Sequence, residues 1–238
     1  LCKLLVNGMI RNSYIASEEQ RAFRDLCRQR SKYAQHITQG YNRILKNLER
    51  RNIKLRSVVS NINTQSATNI IKAIAAGETD IEKLVSLCKG KLRKKQEQMR
   101  KALVGVITQH DRDMLTTLLA DIEHYDAQIK RIEERIKQHT DNVSNQLIEN
   151  LQEIKGVGKT STEITLAEIG DNVNSFATAD KLAAWVGLAP GNKESAGKSS
   201  YVPTRQGNVY LRSALVQVAW GAIRTKNSYW RALFAHLN

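Results

Sequence analysis

The residues best suited to chemistry lie in a short basic loop that is rich in hydroxyl groups. The loop reads Lys-Glu-Ser-Ala-Gly-Lys-Ser-Ser, with Ser195 two positions before Gly197 and three before Lys198. A serine on backbone that bends close to a phosphate could attack it, and flanking cations would offset charge in the transition state. Composition alone favours a plainer interpretation, a flexible Gly/Ser connector. Both interpretations stay open at this point.

Further candidates for phosphate contacts follow the loop. Lys198 and Arg205 could bind the non-bridging oxygens of a phosphate. Gly207 suits a tight chain path, and Asn208 is expected to cap the apolar helix that follows, whose N-terminus carries a positive dipole end. Arg212 lies one turn into that helix. Its guanidinium could point back at the loop or form a surface ion pair.

A Gly-Val-Gly turn precedes the loop in the sequence and resembles a helix-hairpin-helix. Gly156 and Gly158 would let two helices turn tightly, and the amides that open the second helix would face a DNA phosphate without reading base sequence. Lys155 and Lys159 flank the turn and would add charge. Thr162 departs from the pattern, because such motifs usually place a smaller alanine there for close helix packing. The alternative is a tight turn between packed helices.

The distribution of the net charge of +14 indicates a polyanionic partner. Residues 1–110 hold 22 Lys and Arg against 8 Asp and Glu, residues 111–150 hold 5 against 9, and residues 151–238 hold 10 against 6. The basic clusters in the first part are too dense for local carboxylates to offset. Nucleic acid is therefore the expected partner, and a solvated basic helix face is the alternative.

Periodicity predicts an all-α fold of long helices forming a coiled coil, followed by a small helical domain. Only 2 Pro and 13 Gly occur, and aromatic residues make up 5% of the chain. One heptad seam is sustained over three repeats. Its members are Leu115, Leu118, Ile122, Tyr125, Ile129, Ile132 and Ile136. An earlier, more polar seam from Phe23 to Leu48 is either its antiparallel partner or a surface for another copy, and oligomerisation through the seams is expected.

Several other classes of function find no support in the sequence. The five histidines lack metal-ligand spacing, so no metal is expected in this chain. The acidic residues of the heptad helix are interpreted as solvated flanks. Gly158 and Lys159 could suggest a P-loop, but position 153 is Glu153 where that motif needs glycine.

Cysteine usage and hydropathy predict a cytoplasmic protein without a membrane segment. The three cysteines are far apart and fit reduced thiols. No run of 18 apolar residues is present. The chain begins on an apolar run without methionine, which we interpret as a fragment of a longer protein. We expect the aromatic residues of the C-terminal region to build its core and not to stack on bases. They are Trp185, Trp220, Tyr229 and Trp230.

The order and spacing of the C-terminal motifs resemble the transposase domain of the insertion sequence 110 family. The resemblance rests on Ile154-Lys-Gly-Val-Gly, Glu168-Ile-Gly, Phe176, Leu182 to Gly187-Leu-Ala-Pro, Ser195-Ala-Gly-Lys, and Gly207-Asn to Leu-Arg212. Residues 11–142 also resemble that family's central helical region. These proteins are site-specific DNA recombinases similar to the Piv invertase and guided by a bridge RNA.

The resemblance implies an active site in two parts. One is a serine, matched here by Ser195, that becomes joined to a DNA end. The other is a RuvC-like domain whose four acidic residues bind magnesium, and these would precede Leu1. The chain alone is then expected to need no cofactor and to be inactive. Strand exchange around two duplexes implies a dimer or a tetramer. The resemblance also implies a prokaryotic protein associated with the nucleoid.

We therefore expect three parts of the chain. Residues 1–10 would be a remnant that follows the nuclease domain, residues 11–150 the basic helical and coiled-coil region, and residues 151–238 the transposase domain with the helix-hairpin-helix and the serine loop. Our candidates for binding the guide RNA are Arg93, Lys94 and Lys95. The alternative function is a non-catalytic scaffold that holds branched DNA or structured RNA.

Overall fold

The predicted all-α class is confirmed. The computed structural model describes residues 2–9, 15–170, 176–189, 191, 194–195, 198–199, 202–204 and 206–237. For residues 194–195 and 198–199 this description covers the backbone. Helices account for the regular structure of these residues apart from one short antiparallel strand pair.

Eleven α-helices lie in the described ranges. They are α1 (Cys2–Val6), α2 (Glu18–Arg50), α3 (Gln65–Ala75), α4 (Ile81–Ser86), α5 (Gln96–Ala102), α6 (Gln109–Thr140), α7 (Asn145–Glu153), α8 (Lys159–Ile169), α9 (Ala179–Val186), α10 (Val209–Arg224) and α11 (Tyr229–Leu237). Short 3-10 helices span Leu55–Ser57 and Gly90–Lys95. The strands are β1 (Glu194–Ser195) and β2 (Lys198–Ser199). Among the described residues, no helix is both long and apolar enough to cross a membrane.

The chain divides into two compact units, and each contains part of the long helices α2 and α6. Residues 30–131 form one unit, and residues 1–29 with 132–238 form the other. The domain boundaries expected from the sequence, after residues 10 and 150, stay predictions.

In the unit of residues 30–131, the paired segments of α2 and α6 run antiparallel. The ring of His36 stacks on Tyr125 at 5.0 Å. A Cβ atom at Gly40 would lie 2.9 Å from Cγ1 of Ile122, so glycine allows the helices to approach closely here. The partner of the α6 seam in this unit is therefore α2 of the same chain, whereas a coiled coil and association between copies stay predictions.

Burial follows the predicted heptad seam of α6. Five of its members are buried: Leu115, Leu118, Ile122, Ile132 and Ile136. Tyr125 and Ile129 are half-buried. The core of the unit of residues 30–131 is closed by α3 and α5, and its fully buried side chains include Ile44, Leu48, Leu55, Ile70, Ile71, Met99 and Leu115.

An ion pair at the start of α6 makes this unit sensitive to acid. Burial alone would raise the pKa of Asp111, but hydrogen bonds from Thr108 and the Arg51 guanidinium, 2.7 Å away, lower that pKa to about 2. A carboxyl whose pKa is lower in the folded state stabilises the fold above its unfolded pKa of about 3.9. This contribution is expected to disappear as the pH falls from about 4 to about 2. Urea unfolding across that range should show a smaller loss of stability for Asp111→Asn than for the wild type.

In the other unit, α8 is a largely buried helix. Its side chains are buried on several sides, including Thr162, Leu166, Ala167 and Ile169. Ile169 packs with Val186 of α9 and Leu211 of α10 in one apolar cluster. Helices α8, α9 and α10 thus share one apolar cluster, and α9 and α10 flank the serine loop in sequence.

Candidate functional site

The Gly-Val-Gly turn between α7 and α8 packs directly on the backbone of α10. Gly156 has a φ of 91°, and a Cβ atom there would overlap the carbonyl oxygen of Val218. Gly221 lies against Gly156, so a pair of glycines brings turn and helix together. This close approach explains the first glycine of the predicted helix-hairpin-helix. The assignment of the motif to DNA binding stays a prediction.

The second glycine of the turn leaves the start of α8 open. A Cβ atom at Gly158 would meet nothing within 4 Å. Its amide donates to Oγ of Ser161 at 2.9 Å. Thr162 is buried, and its hydroxyl donates to the Gly158 carbonyl at 3.1 Å, so the threonine found in place of alanine is accommodated by a hydrogen bond. Lys155 and Lys159 are both exposed beside this end of the helix.

The two glycines provide a matched pair of substitutions. Gly156→Ala should destabilise the protein by about 2 kcal/mol, because the methyl group meets backbone atoms and the positive φ disfavours alanine. Gly158→Ala should cost less than about 1 kcal/mol, since its surroundings are open. Urea unfolding of both variants measures the difference. Equal losses of stability would contradict the assignment of Gly156 to close packing.

A buried carboxylate near the end of α8 joins α2 to the start of α10. The side chain of Glu168 is 1% exposed. Arg28 binds it through two hydrogen bonds, from Nε to Oε1 at 2.7 Å and from Nη2 to Oε2 at 2.8 Å. Nε of Arg24 lies 3.3 Å from Oε2, and Nη2 of Arg24 donates to the Glu168 backbone carbonyl at 3.0 Å. We call Arg24, Arg28, Glu168 and Asn208 the Glu168 cluster.

The fourth member of the Glu168 cluster is the predicted helix cap. Oδ1 of Asn208 accepts hydrogen bonds from the amides of Tyr210 and Leu211, each at 3.1 Å, so the predicted cap of α10 is confirmed. Its Nδ2 donates to Oε2 of Glu168 at 2.6 Å. Both polar ends of Asn208 are engaged, and its action on a phosphate would therefore go through the helix that it caps.

The carboxylate of Glu168 stabilises the charged form of Arg28. The hydrogen bonds to Glu168 raise the pKa of the Arg28 guanidinium, although burial opposes the shift. The guanidinium carbon of Arg28 also lies 4.6 Å from the ring centre of Tyr210, in the first turn of α10. Two cations and one anion leave a net positive charge beside the N-terminus of α10.

The chain just before α10 is held against the end of α9 by a second close approach. A Cβ atom at Gly207 would overlap the amide nitrogen of Gly187, which has a left-handed φ of 84° at the end of α9. The amide of Asn208 donates to the carbonyl of Trp185 at 3.2 Å. Only glycine at position 207 allows this approach. The observation agrees with the prediction that Gly207 lies in a tight path of the chain.

The serine loop contains an antiparallel strand pair. Glu194 pairs with Ser199, and Ser195 pairs with Lys198. Gly191 lies against Val202, the position that the same register would pair with it. We call β1 and β2 the serine hairpin. Its paired backbone argues against a wholly flexible connector.

Two of the predicted residues in and after the serine hairpin lie outside the described residues. These are Gly197 and Arg205. For Ser195 and Lys198 the backbone register is the structural observation. Their roles as nucleophile and phosphate ligand stay predictions.

Arg212 connects α10 to the segment that follows the serine hairpin. Its Nη2 donates to the hydroxyl of Thr204 at 2.8 Å. Thr204 follows the Val202–Pro203 segment that lies against Gly191. Arg212 thus points back toward the loop, which is the first of its two predicted orientations.

The charged residues after Glu194 are all Lys or Arg, apart from histidine. This segment contains no Asp or Glu and six Lys or Arg residues. They are Lys198, Arg205, Arg212, Arg224, Lys226 and Arg231. Such a segment attracts a polyanion and does not offset the attraction locally.

The predicted RNA-binding residues belong to the unit of residues 30–131. Arg93, Lys94 and Lys95 are exposed in the 3-10 helix Gly90–Lys95. The ammonium group of Lys95 donates to the carbonyl of Val58 at 3.3 Å, so Lys95 also has a structural role. RNA binding by the three residues stays a prediction.

The aromatic residues of the C-terminal region do not lie where the sequence predicted. Trp185, Trp220, Tyr229 and Trp230 are all exposed, at 40%, 51%, 70% and 45%. The expectation that they build the core was wrong, because smaller side chains fill it instead. These include Val186, Leu211 and Ala214.

Metal-ligating groups were not expected in this chain. The described residues contain no group of three His, Cys, Asp or Glu side chains that could hold a metal ion. The buried carboxylate of Glu168 is bound by Arg24, Arg28 and the side-chain amide of Asn208.

The sequence pattern did not predict the roles of Glu168, Arg24 and Arg28. A partial signal was present, because Glu168 lies between Ala167 and Ile169 at an apolar end of α8. A buried carboxylate requires a cationic partner. The sequence does not tell which of many arginines supplies it, although positions 24 and 28 share one face of α2.

Comparison with known proteins gives a family match for the C-terminal part of the chain. No curated protein matches the chain. Residues 148–235, which carry α8, the serine hairpin and α10, match the model of the transposase IS116/IS110/IS902 family. The C-terminal part of the chain is thus similar to that family, and the match supports a transposase or recombinase in general.

Proposed function

We propose that this protein is an RNA-guided DNA recombinase of an insertion sequence, in which Ser195 is the nucleophile. The observation that carries the proposal is the backbone register, which sets Ser195 opposite Lys198 within the segment matched by the transposase family. Directly opposite residues in an antiparallel pair are neighbours. A hydroxyl and an ammonium group on adjacent positions suit attack on a phosphodiester.

The covalent step exchanges one phosphoester for another. The Ser195 hydroxyl loses its proton as Oγ bonds to phosphorus, and the bond from phosphorus to one deoxyribose oxygen breaks. That oxygen leaves as a hydroxyl after taking up a proton. The free hydroxyl of another strand then displaces the serine, so the number of phosphoester bonds is conserved.

Cationic side chains near the serine hairpin would hold the scissile phosphate. Lys198 and Arg205 are proposed to bind its non-bridging oxygens, with Gly197 allowing close approach. Arg212 donates to Thr204 at 2.8 Å and so links α10 to the segment after the hairpin.

We propose that the start of α10 helps to hold this phosphate site in place. Asn208 caps the helix, and Gly207 lets the preceding turn pack tightly on the end of α9. Glu168 lies buried beneath Asn208 and accepts a hydrogen bond from it. The Glu168 cluster therefore keeps the helix start in place.

A separate DNA contact is proposed at the open start of α8. Lys155 and Lys159 are exposed there, and Gly158 leaves room for a phosphate oxygen. Backbone amides at a helix N-terminus bind phosphate independently of base sequence. This contact would position the duplex, while the choice of target would come from the guide RNA.

The family resemblance implies a second, acidic half of the active site that binds magnesium. The described residues offer no metal-binding group, so no step is assigned to a metal in this chain. We propose that a RuvC-like domain supplies it, and that this chain alone does not cut DNA. Association of copies as a dimer or tetramer would place two duplexes together.

We assign guide RNA binding to the exposed basic segment of residues 93–95. Reversal of charge at Arg93 and Lys94 should lower RNA affinity and reduce the slope of log affinity against log salt by about 0.7 to 0.9 for each phosphate that is no longer neutralised. A filter-binding series from about 50 to about 200 mM salt measures both quantities. Unchanged affinity and slope would refute the assignment.

A suicide substrate separates this function from the alternative of a non-catalytic scaffold. The full-length recombinase, guide RNA and magnesium are incubated with DNA nicked close to the expected cleavage point, so that a cleaved strand diffuses away. A recombinase should retain DNA through denaturing electrophoresis. A scaffold would bind the same DNA and release it on denaturation, which would overturn the proposal.

A further inference from the structure

The last two helices carry an exposed aromatic face that the proposed chemistry does not use. Trp220 on α10 is 51% exposed, and Trp230 and Phe234 on α11 are 45% and 43% exposed. Tyr229 is 70% exposed. We call these four residues the aromatic face. A contiguous set of large exposed aromatic side chains on a monomer usually marks a binding surface.

Ring contacts link members of the aromatic face, and one of them crosses from α10 to α11. The rings of Trp220 and Phe234 lie 6.1 Å apart. The rings of Tyr229 and Trp230 lie 5.3 Å apart in an edge-to-face arrangement. Trp230 and Phe234 are four residues apart and therefore share one side of α11. The aromatic face is thus a single surface built by α10 and α11.

Three cationic residues lie close to the aromatic face in sequence, and the segment after Glu194 contains no Asp or Glu. Arg224 follows Trp220 by one helical turn, and Arg231 precedes Phe234 by three positions. Lys226 lies in the connection between the two helices. All three are exposed. The surface therefore combines exposed aromatic rings with exposed cationic side chains nearby in sequence.

We propose that the aromatic face binds unpaired bases of single-stranded DNA. This inference rests on the proposed function, because strand exchange exposes unpaired bases during each reaction. Every base presents a π-face, so aromatic rings can stack on bases of any sequence while Arg and Lys side chains contact the phosphates. The combination of exposed rings with cations matches both parts of a single strand.

A second copy of this chain fits the aromatic face less well. A two-fold contact pairs a surface with itself, so Arg224, Lys226 and Arg231 of both copies would lie in one interface. Like charges brought together at an interface oppose association. Charge complementarity therefore favours a polyanion over self-association.

The test compares single-stranded and duplex DNA with the full-length protein. Fluorescein-labelled oligothymidylate of about 20 nucleotides, long enough for one or more single-strand sites, and a duplex of equal length are titrated by fluorescence anisotropy at fixed salt. The variants are Tyr229→Ala and Trp230→Ala, with Val216→Ala as the control, because Val216 is an exposed apolar residue of α10 without a ring. Circular dichroism checks folding, and Trp220→Leu provides a further variant that keeps an apolar side chain.

The expected result is a loss of about tenfold in single-strand affinity for each ring removed, with duplex affinity changed less than about twofold. Arg231→Gln should lower the single-strand salt slope by about 0.7. Equal effects on both DNA forms, or no effect, would overturn the inference. So would variants that dissociate a dimer and leave DNA affinity unchanged, since that result assigns the face to a second copy.

These outcomes are independent of the serine chemistry. Loss of stacking with a normal covalent complex on the suicide substrate would support the aromatic face as a binding surface that the chemical step does not require. Normal stacking without any covalent complex would overturn the nucleophile and leave the DNA-binding surface intact.

Discussion

Replacement of Ser195 by alanine is expected to reduce strand exchange by about 10³-fold or more while DNA binding stays within about twofold. The reason is chemical: without Oγ no phosphoester to the protein can form. The backbone register does not depend on this hydroxyl, because the pairing of Ser195 with Lys198 is made by main-chain atoms. Single-turnover recombination by the full-length protein and an equilibrium binding titration measure the two quantities.

Ser199→Ala is the matched control for this experiment. Ser199 lies on β2, pairs with Glu194, and has the same side chain in the same serine hairpin. Its replacement should change the rate by less than about tenfold, because it has no role as nucleophile. Comparable rate reductions for both variants would show that the structure of the hairpin, and not one hydroxyl, is what matters.

Removal of the Glu168 carboxylate is expected to destabilise the protein by about 3 kcal/mol. Glu168→Ala leaves Arg24 and Arg28 without their common anion, and the Asn208 side-chain amide loses an acceptor at 2.6 Å. The arginine side chains are 21% and 33% exposed, so water can recover part of the loss. Urea unfolding measures the change in free energy.

The control for Glu168 is Glu153→Ala, which removes an exposed carboxylate from α7. Its expected cost is below about 0.5 kcal/mol. Since Asn208 holds the start of α10, Glu168→Ala should also slow formation of the covalent complex under conditions where the protein remains folded. A normal rate with reduced stability would show that the Glu168 cluster stabilises the unit without positioning the site.

The sequence was sufficient for the features that local patterns determine. The seam from Leu115 to Ile136 predicted the long helix α6, and its buried positions follow the seven-residue period. Asn208 predicted a helix start, because few residue types can satisfy the first amides of a helix. The packing of Gly156 on Val218 could not be predicted, since it joins residues distant in sequence.

The aromatic residues show why the prediction of the core failed. Large rings are highly buried on average in folded domains. Here the buried positions of this unit include the smaller side chains of Val186, Leu211 and Ala214, and the four rings are exposed. The Glu168 cluster was missed for a related reason, because it joins side chains from α2, α8 and the start of α10 that only the tertiary structure brings together.

The most direct test of the central claim is mass spectrometry of the covalent complex. The protein, trapped on suicide DNA, is digested with nuclease and protease, and the peptide that contains Ser195 is sequenced by fragmentation. The account predicts a nucleotide phosphoester on Ser195, and none in the Ser195→Ala protein. A phosphoester on another residue, or strand exchange by Ser195→Ala at the wild-type rate without an adduct, would contradict it.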